Sequence, residues 1–335
     1  MIKNGYLIEE NYFGKQGKDV LNPIYSVSKS LTSTLIGIAI QEGFIESIDE
    51  IVLDFFPDYE FENADSAKNN MTIYHLLTMT SGLDWDEWWV SYSSIRNDLT
   101  AVKAQSDWVQ YILDKPMVHD PGTVIDYNTG ASHILSAILD RSTDGYEAFA
   151  NEYLFDPLGI EDYFFQTDPQ NIVRGGEGIS LRSIDMAKLG YFYSMNGSWN
   201  GVSILSPEWI SSATTPIFEF DPVYSYGYQW WIAQSTKYET FFAWGWSGQR
   251  IFVIPERELV GVFTGFEDSS SVYLFFINQF IIPPTYYDPL TESISSESDP
   301  LTESSSGEGE SLISVLGFSA PIILIVMIKR RYLPR

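Results

Sequence analysis

Between residues 28 and 43 the apolar positions Leu31, Leu35, Ile36, Ile38, Ala39 and Ile40 recur at helical spacing, and Gly43 ends the run. Apolar positions this dense predict a helix that is largely buried. Ahead of it, residues 1–12 read as strand, Asn-Gly turn, strand, a β-hairpin. Residues 55–165 carry short helical runs at 73–79, 107–113 and 132–139 between long loops, and few strands are expected there. After Gly178 a helix over 183–193 leads into strand-like runs at 226–233, 239–243, 250–254 and 259–264. These form a meander that a helix over 271–281 would cover. Strands at both ends and a helical middle predict an α/β sheet domain, residues 1–283, interrupted by a helical insertion at about 55–165.

Past Pro284 the pattern stops. Residues 284–311 are rich in Ser, Glu, Thr and Pro, a composition that buries too little apolar surface to fold, and they read as a stalk. An uncharged run of 17 residues follows at 312–328, then Lys329, Arg330 and Arg331. That length sits at the lower limit for crossing a bilayer. The acidic stalk before it and the basic cluster after it favour a single transmembrane helix, with residues 329–335 as a cytoplasmic tail and the globular part outside the cytoplasm. Outward transfer needs an N-terminal leader and none is visible, so the natural N-terminus is expected upstream of Met1.

Composition narrows the chemistry. The 335 residues carry 45 acidic against 19 basic side chains, a formal net charge of −26, so the surface repels phosphate backbones and no nucleic-acid partner is expected. There is no cysteine, and the three histidines, His75, His119 and His133, match no metal-ligand spacing. A thiol enzyme and a zinc hydrolase are both disfavoured, and no metal or cofactor is expected. No Gly-x-Ser-x-Gly elbow occurs, which disfavours an α/β-hydrolase.

What remains is "YSVSKSLTS" at residues 25–33. Ser26 and Lys29 stand three apart at a helix start, so they share a face. The helix N-terminus disfavours an ammonium and favours an alkoxide, and partial burial lowers the lysine pKa further, so both effects activate the serine. Taken alone, the spacing fits an N-cap serine followed by an exposed lysine equally well, because about one Ser-x-x-Lys arises by chance in such a chain.

Four more blocks shift that balance. "YSVSKSLTSTLIGIAIQEGFI", "MTIYHLLTMTSGLDWDE", "PGTVIDYNTGASHILSAIL", "GGEGISLRSIDMAKLGYFY" and "GWSGQRIFVIPERELVGVFTG" stand in an order and spacing that resemble the serine beta-lactamase-related hydrolases. That group includes class C beta-lactamases, D-alanyl-D-alanine peptidases, related esterases and amide hydrolases of the 6-aminohexanoate-dimer type. The resemblance covers residues 1–283. It implies a beta-lactamase/transpeptidase-like fold, an antiparallel sheet flanked by helices.

The resemblance also implies roles. Ser26 matches the nucleophile and Lys29 its partner base. Tyr127 matches the catalytic tyrosine, a phenol suited to passing protons if the nearby Lys29 lowers its pKa. The family places Asn two residues after the tyrosine, whereas here Thr129 stands there. The family's Lys or His, then Ser or Thr, then Gly, expected on a sheet-edge strand, is here Trp246-Ser247-Gly248. Trp246 replaces a cation, which counts against recognition of a substrate carboxylate as in beta-lactams. Ser247 is left to hydrogen-bond substrate, and Gly248 to let backbone approach. The amides of Ser26 and Gln249 match the family's oxyanion hole.

Trp85, Trp88 and Trp89 are candidates for a cleft wall, with at least one expected in the core. His75 is expected to make a structural hydrogen bond, and Asp120 and Asp126 to be solvated loop acids. The sequence therefore predicts a membrane-anchored serine hydrolase that forms an acyl-enzyme on a small ester or amide. The competing reading is a catalytically weak penicillin-binding-like module, holding cell-wall or peptide ligands on a membrane stalk.

Overall fold

The computed structural model describes residues 1–14, 16–234, 238–265 and 330–331. Among these, the main sheet has nine strands, in the spatial order Arg330–Arg331, Tyr6–Leu7, Ile2–Lys3, Leu259–Phe263, Gln249–Ile254, Thr240–Gly245, Trp231–Ala233, Tyr224–Tyr226 and Phe218–Glu219. Every neighbouring pair is antiparallel. The first hairpin turns through Asn4 and Gly5, both at positive φ (50° and 73°), as a two-residue hairpin loop requires.

Helices cover the sheet. The Ser183–Ser194 helix lies on Leu259–Phe263 and Gln249–Ile254, and the Val27–Gln41 helix packs between Thr240–Gly245 and the Thr129–Ser142 helix. The six residues of Gln249–Ile254 are all buried, because that strand is covered on both faces. Val27 to Ala39 are buried without a break, so the polar Ser28, Lys29, Ser30, Thr32, Ser33 and Thr34 lie inside the molecule with the apolar residues between them. Ser30 and Ser33 settle there by donating to the carbonyls of Gln229 (2.7 Å) and Tyr228 (2.8 Å).

A second sheet of three short strands, Asn22–Pro23, Ile179–Leu181 and Tyr163–Phe165, ties the chain just before the helix to the chain after Gly176. The segments 22–29 and 176–181 are thereby held side by side.

Two expectations about strands are corrected. The run at 226–233 is two strands, Tyr224–Tyr226 and Trp231–Ala233, joined by a turn in which Gln229 has φ 60°. Trp246–Gly248 is no part of an edge strand: it is a one-turn 3₁₀ corner closing the Thr240–Gly245/Gln249–Ile254 hairpin, deep within the sheet order. The expected helix at 271–281, the stalk at 284–311 and the membrane segment at 312–328 lie outside the described residues. Among the described residues no helix is long and apolar enough to cross a membrane. The two-residue strand Arg330–Arg331 lies beside Tyr6–Leu7 at one end of the sheet order.

Candidate active site

Ser26 sits at the N-cap of the Val27–Gln41 helix, and its side chain makes no capping bond, so its hydroxyl is available for other partners. Tyr25 just before it has φ 47°, a left-handed conformation that costs a bulky residue about 1–3 kcal/mol and sets the corner on which Ser26 stands. Gly245, at the end of its strand, abuts this corner. A Cβ there would lie 2.3 Å from the Ile24 carbonyl oxygen, so only glycine allows the sheet to approach the corner before Ser26 so closely. Among the described residues the Ser26 N–H has no backbone acceptor.

Lys29 is 1% exposed, and its Nζ has three oxygen partners: Gly176 O at 2.7 Å, Thr129 Oγ1 at 2.8 Å and Ser26 Oγ at 3.3 Å. Gly176 must be glycine for this contact, since a Cβ would stand 2.7 Å from Thr129 Cγ2. Burial pushes the Lys29 pKa down to about 8, against the pull of the Glu87 and Glu177 carboxylates and with a smaller push from Lys103. An amine with that pKa supplies a useful fraction of free base near neutral pH.

Tyr127 immediately precedes the Asn128-capped Thr129–Ser142 helix, with its hydroxyl near the Ser26 side chain. Here an expectation fails. Burial raises the Tyr127 pKa well above 10, Tyr226, Glu87 and Tyr92 raise it further, and the Ser26 side chain pulls the other way. Lys29 Nζ lies over the ring face, 5.0 Å from its centroid, and so does not act as a partner of the phenol oxygen. The tyrosine is therefore a neutral hydroxyl, able to donate and relay, and not a phenolate.

The residue that sequence reasoning missed is Glu87. It is 1% exposed, accepting from the Thr129 N–H (2.8 Å) and Trp85 Nε1 (2.6 Å) on Oε2 and from the Thr129 hydroxyl (2.6 Å) on Oε1. Its only sign in the sequence is an acid between aromatics in "DWDEWW", where Asp84 and Asp86 look the same but are exposed.

The tryptophans separate. Trp85 is buried against Glu87 and Trp89 is 85% exposed. Trp88 is half-buried in an aromatic wall, 5.2 Å from Tyr127, 5.1 Å from Phe220, 5.9 Å from Trp231 and 6.1 Å from Trp244 between ring centroids. Trp246 is 54% exposed and meets Tyr25 edge-on at 5.3 Å, which places it beside the Ser26 corner. Ser247 is buried at φ 60°, Gly248 has φ 86°, and the Gln249 side chain donates to Ser247 O (3.2 Å) and Gly265 O (3.0 Å). Gly248 thus takes a left-handed backbone conformation that glycine adopts without steric cost.

His75 makes the structural bond expected of it, Nδ1 accepting from the Thr72 N–H at 3.0 Å. Asp126 differs from expectation: it is half-buried, and desolvation, with Glu87, Asp86, Asp84 and Asp98 nearby, raises its pKa to about 7. Among the described residues no group of acids and histidines could hold a metal ion.

Comparison with known proteins gives the family. The beta-lactamase family model matches residues 1–266. The chain belongs to the beta-lactamase family. With it come the serine hydrolases of beta-lactamase-related type. The 6-aminohexanoate-dimer hydrolase of Paenarthrobacter ureafaciens is 23% identical over 282 residues, 78% of this chain and 70% of that protein. Esterase EstB of Burkholderia gladioli is 27% identical over 163 residues, spanning 46% of this chain and 41% of EstB. Among solved structures, a Bacillus anthracis protein described as a 6-aminohexanoate-dimer hydrolase superposes with a TM-score of 0.71 at 20% identity, covering 88% of this chain and 79% of that one. The fold is therefore beta-lactamase/transpeptidase-like, as the resemblance implied.

Proposed function

We propose that this family member hydrolyses neutral carboxylic esters, and small amides more slowly, through an acyl-enzyme on Ser26. The observation that carries the reading is the Ser26 Oγ lying 3.3 Å from the Nζ of a buried Lys29 whose pKa is lowered to about 8. Neutral Lys29 takes the Ser26 proton as Oγ attacks the substrate carbonyl. The oxyanion that forms is held by the Ser26 and Gln249 N–H groups. The Tyr127 hydroxyl, near the Ser26 side chain, passes a proton to the leaving group as the tetrahedral intermediate collapses. Water then attacks the acyl-enzyme by the reverse relay and releases the acid.

Substrate charge follows from two facts. The position beside Ser26 where the family carries a cation holds Trp246, and the chain has a net charge of −26, so free carboxylates are disfavoured. The wall of Trp88, Phe220, Trp231 and Trp244 suits an apolar acyl or alcohol group. The relative named as an esterase fits this preference. A panel of p-nitrophenyl esters, D-amino acid amides and a chromogenic cephalosporin tests it: ester turnover leads, and a kcat/KM for the cephalosporin equal to the best ester contradicts it.

The run at 312–328 supports a further proposal, that this apolar segment holds the hydrolase to a membrane. The full chain then fractionates with membranes and resists carbonate extraction, while a chain ending at residue 283 does not. A full chain found wholly in the soluble fraction refutes the anchor.

A further inference from the structure

The Thr129 position raises a chemical question that the site reading leaves open. An Asn side chain there offers Lys29 a carbonyl oxygen, which can only accept, whereas a threonine hydroxyl can donate or accept. If the Thr129 hydrogen pointed at Lys29, the lysine lone pair would be drawn onto it, and Ser26 would lose its base.

Glu87 removes that freedom. Each hydrogen-bond partner of its two oxygens donates: the Thr129 N–H, Trp85 Nε1 and the Thr129 hydroxyl. Burial pushes the Glu87 pKa up, while Lys29 and these hydrogen bonds pull it down, and a set made only of donors fits the carboxylate form, which accepts at every site. The single hydrogen of Thr129 Oγ1 is therefore engaged at 2.6 Å, and its oxygen faces Lys29 at 2.8 Å as an acceptor. Gly176 O, at 2.7 Å, is an acceptor by nature. A neutral amine has two hydrogens and one lone pair. With two obligate acceptors taking the hydrogens, the lone pair is left for the third and longest contact, Ser26 Oγ at 3.3 Å.

We propose that Glu87 is a positioning residue that fixes the direction of the Thr129 hydroxyl and so aims the Lys29 lone pair at Ser26. Glu87 and Thr129 together then do the orienting that a single asparagine carbonyl can do. The inference rests on Ser26 being the nucleophile and Lys29 its base. The charged and titratable groups around the pair are Glu177, Lys103 and the Tyr127 ring for Lys29, and Tyr92 and Asp126 for Glu87.

Glu87→Gln tests the claim with almost no change of shape. The two N–H donors on Oε2 demand the amide oxygen, so the amide nitrogen must face Thr129 Oγ1 and donate to it. The threonine hydrogen then swings toward Lys29. The readout is the rate at which a fluorophosphonate labels Ser26 in the full chain, followed by mass spectrometry from pH 6 to 10, with circular dichroism as a check on folding. We expect Glu87→Gln to slow labelling about 100-fold and to move the pH inflection below that of the parent, because a carboxylate favouring the lysine ammonium is gone. Thr129→Asn, whose amide accepts from Lys29 and donates to Glu87, should lose no more than about tenfold, whereas Thr129→Val should lose about 100-fold.

Labelling of Glu87→Gln within threefold of the parent and with the same inflection overturns the proposal. So do equal losses in Thr129→Asn and Thr129→Val, which decide the matter alone if Glu87→Gln does not fold. A parent that takes no label on Ser26 removes the nucleophile reading and this inference together, whereas a labelled parent with an indifferent Glu87→Gln removes the inference alone.

Discussion

The site departs from the family motif at two places, and the molecule treats them differently. At Thr129 the substitution lies 3% exposed and is surrounded by compensation: Glu87, Trp85 and Gly176 are placed so that every polar atom has a partner of the right sense. At Trp246 the substitution is half in solvent on a turn, its ring resting on Tyr25, while the Arg250 guanidinium beside that turn is buried, donating to the Gly245 and Gln249 carbonyls. A buried polar position that changes must be re-satisfied or the fold and the chemistry both suffer. An exposed one can change freely, and its consequence falls on which substrates bind. On the proposed mechanism the inner departure preserves the reaction, and the outer one alters its selectivity.

That contrast can be broken at several strengths. The largest effect is expected on the inner side: Lys29→Met should reduce kcat for a p-nitrophenyl ester by at least about 10³-fold, because the base and the hub of the hydrogen bonds vanish together. Next comes pH. The reactive form of Lys29 is the free amine with a pKa of about 8, so kcat/KM should fall about tenfold per unit below pH 8 and level off above it. A profile flat from pH 6 to 9 would break the assignment of Lys29 as base.

On the outer side, Trp246→Lys should raise the ratio of kcat/KM for a carboxylate-bearing ester over a neutral ester by about fivefold, which steady-state kinetics with the two substrates would read. No change in that ratio would show that the turn does not face the substrate. The smallest effect concerns Asp126, whose folded pKa is raised to about 7. The folded state holds its proton to higher pH than the unfolded state does, so Asp126 costs stability as pH rises from about 4 through 7. Because the group is only half-buried, solvent screening leaves about 1 kcal/mol of this. Urea unfolding at pH 8 should show Asp126→Asn more stable by that amount, with the difference absent at pH 4.

How far the chain could be read from its letters follows the same division between inside and outside. The helix carrying Ser26 and Lys29 was legible because apolar spacing and a terminal Gly43 mark it, and Tyr127 and Thr129 because a block of motif surrounds them. Glu87 was not legible. Asp84, Asp86 and Glu87 are chemically alike in sequence, and only the fold buries the third beneath Trp85 while leaving the other two in water. The lowered tyrosine pKa expected from a nearby lysine failed for a related reason: proximity in a motif says nothing of direction, and Lys29 approaches the ring face of Tyr127. The broken run at 226–233 did carry a sign, Gly227 in its interior, but two short buried strands and one longer strand share the same apolar pattern.

The account stands most directly on which serine is the nucleophile and what activates it. Fluorophosphonate labelling of the intact chain, followed by peptide mass spectrometry across pH 6 to 10, addresses both at once. The prediction is a single adduct on the peptide containing Ser26, absent in Ser26→Ala, with a rate that rises through pH about 8 as Lys29 loses its proton. An adduct on another serine, or a Ser26 rate independent of pH across that range, would contradict it.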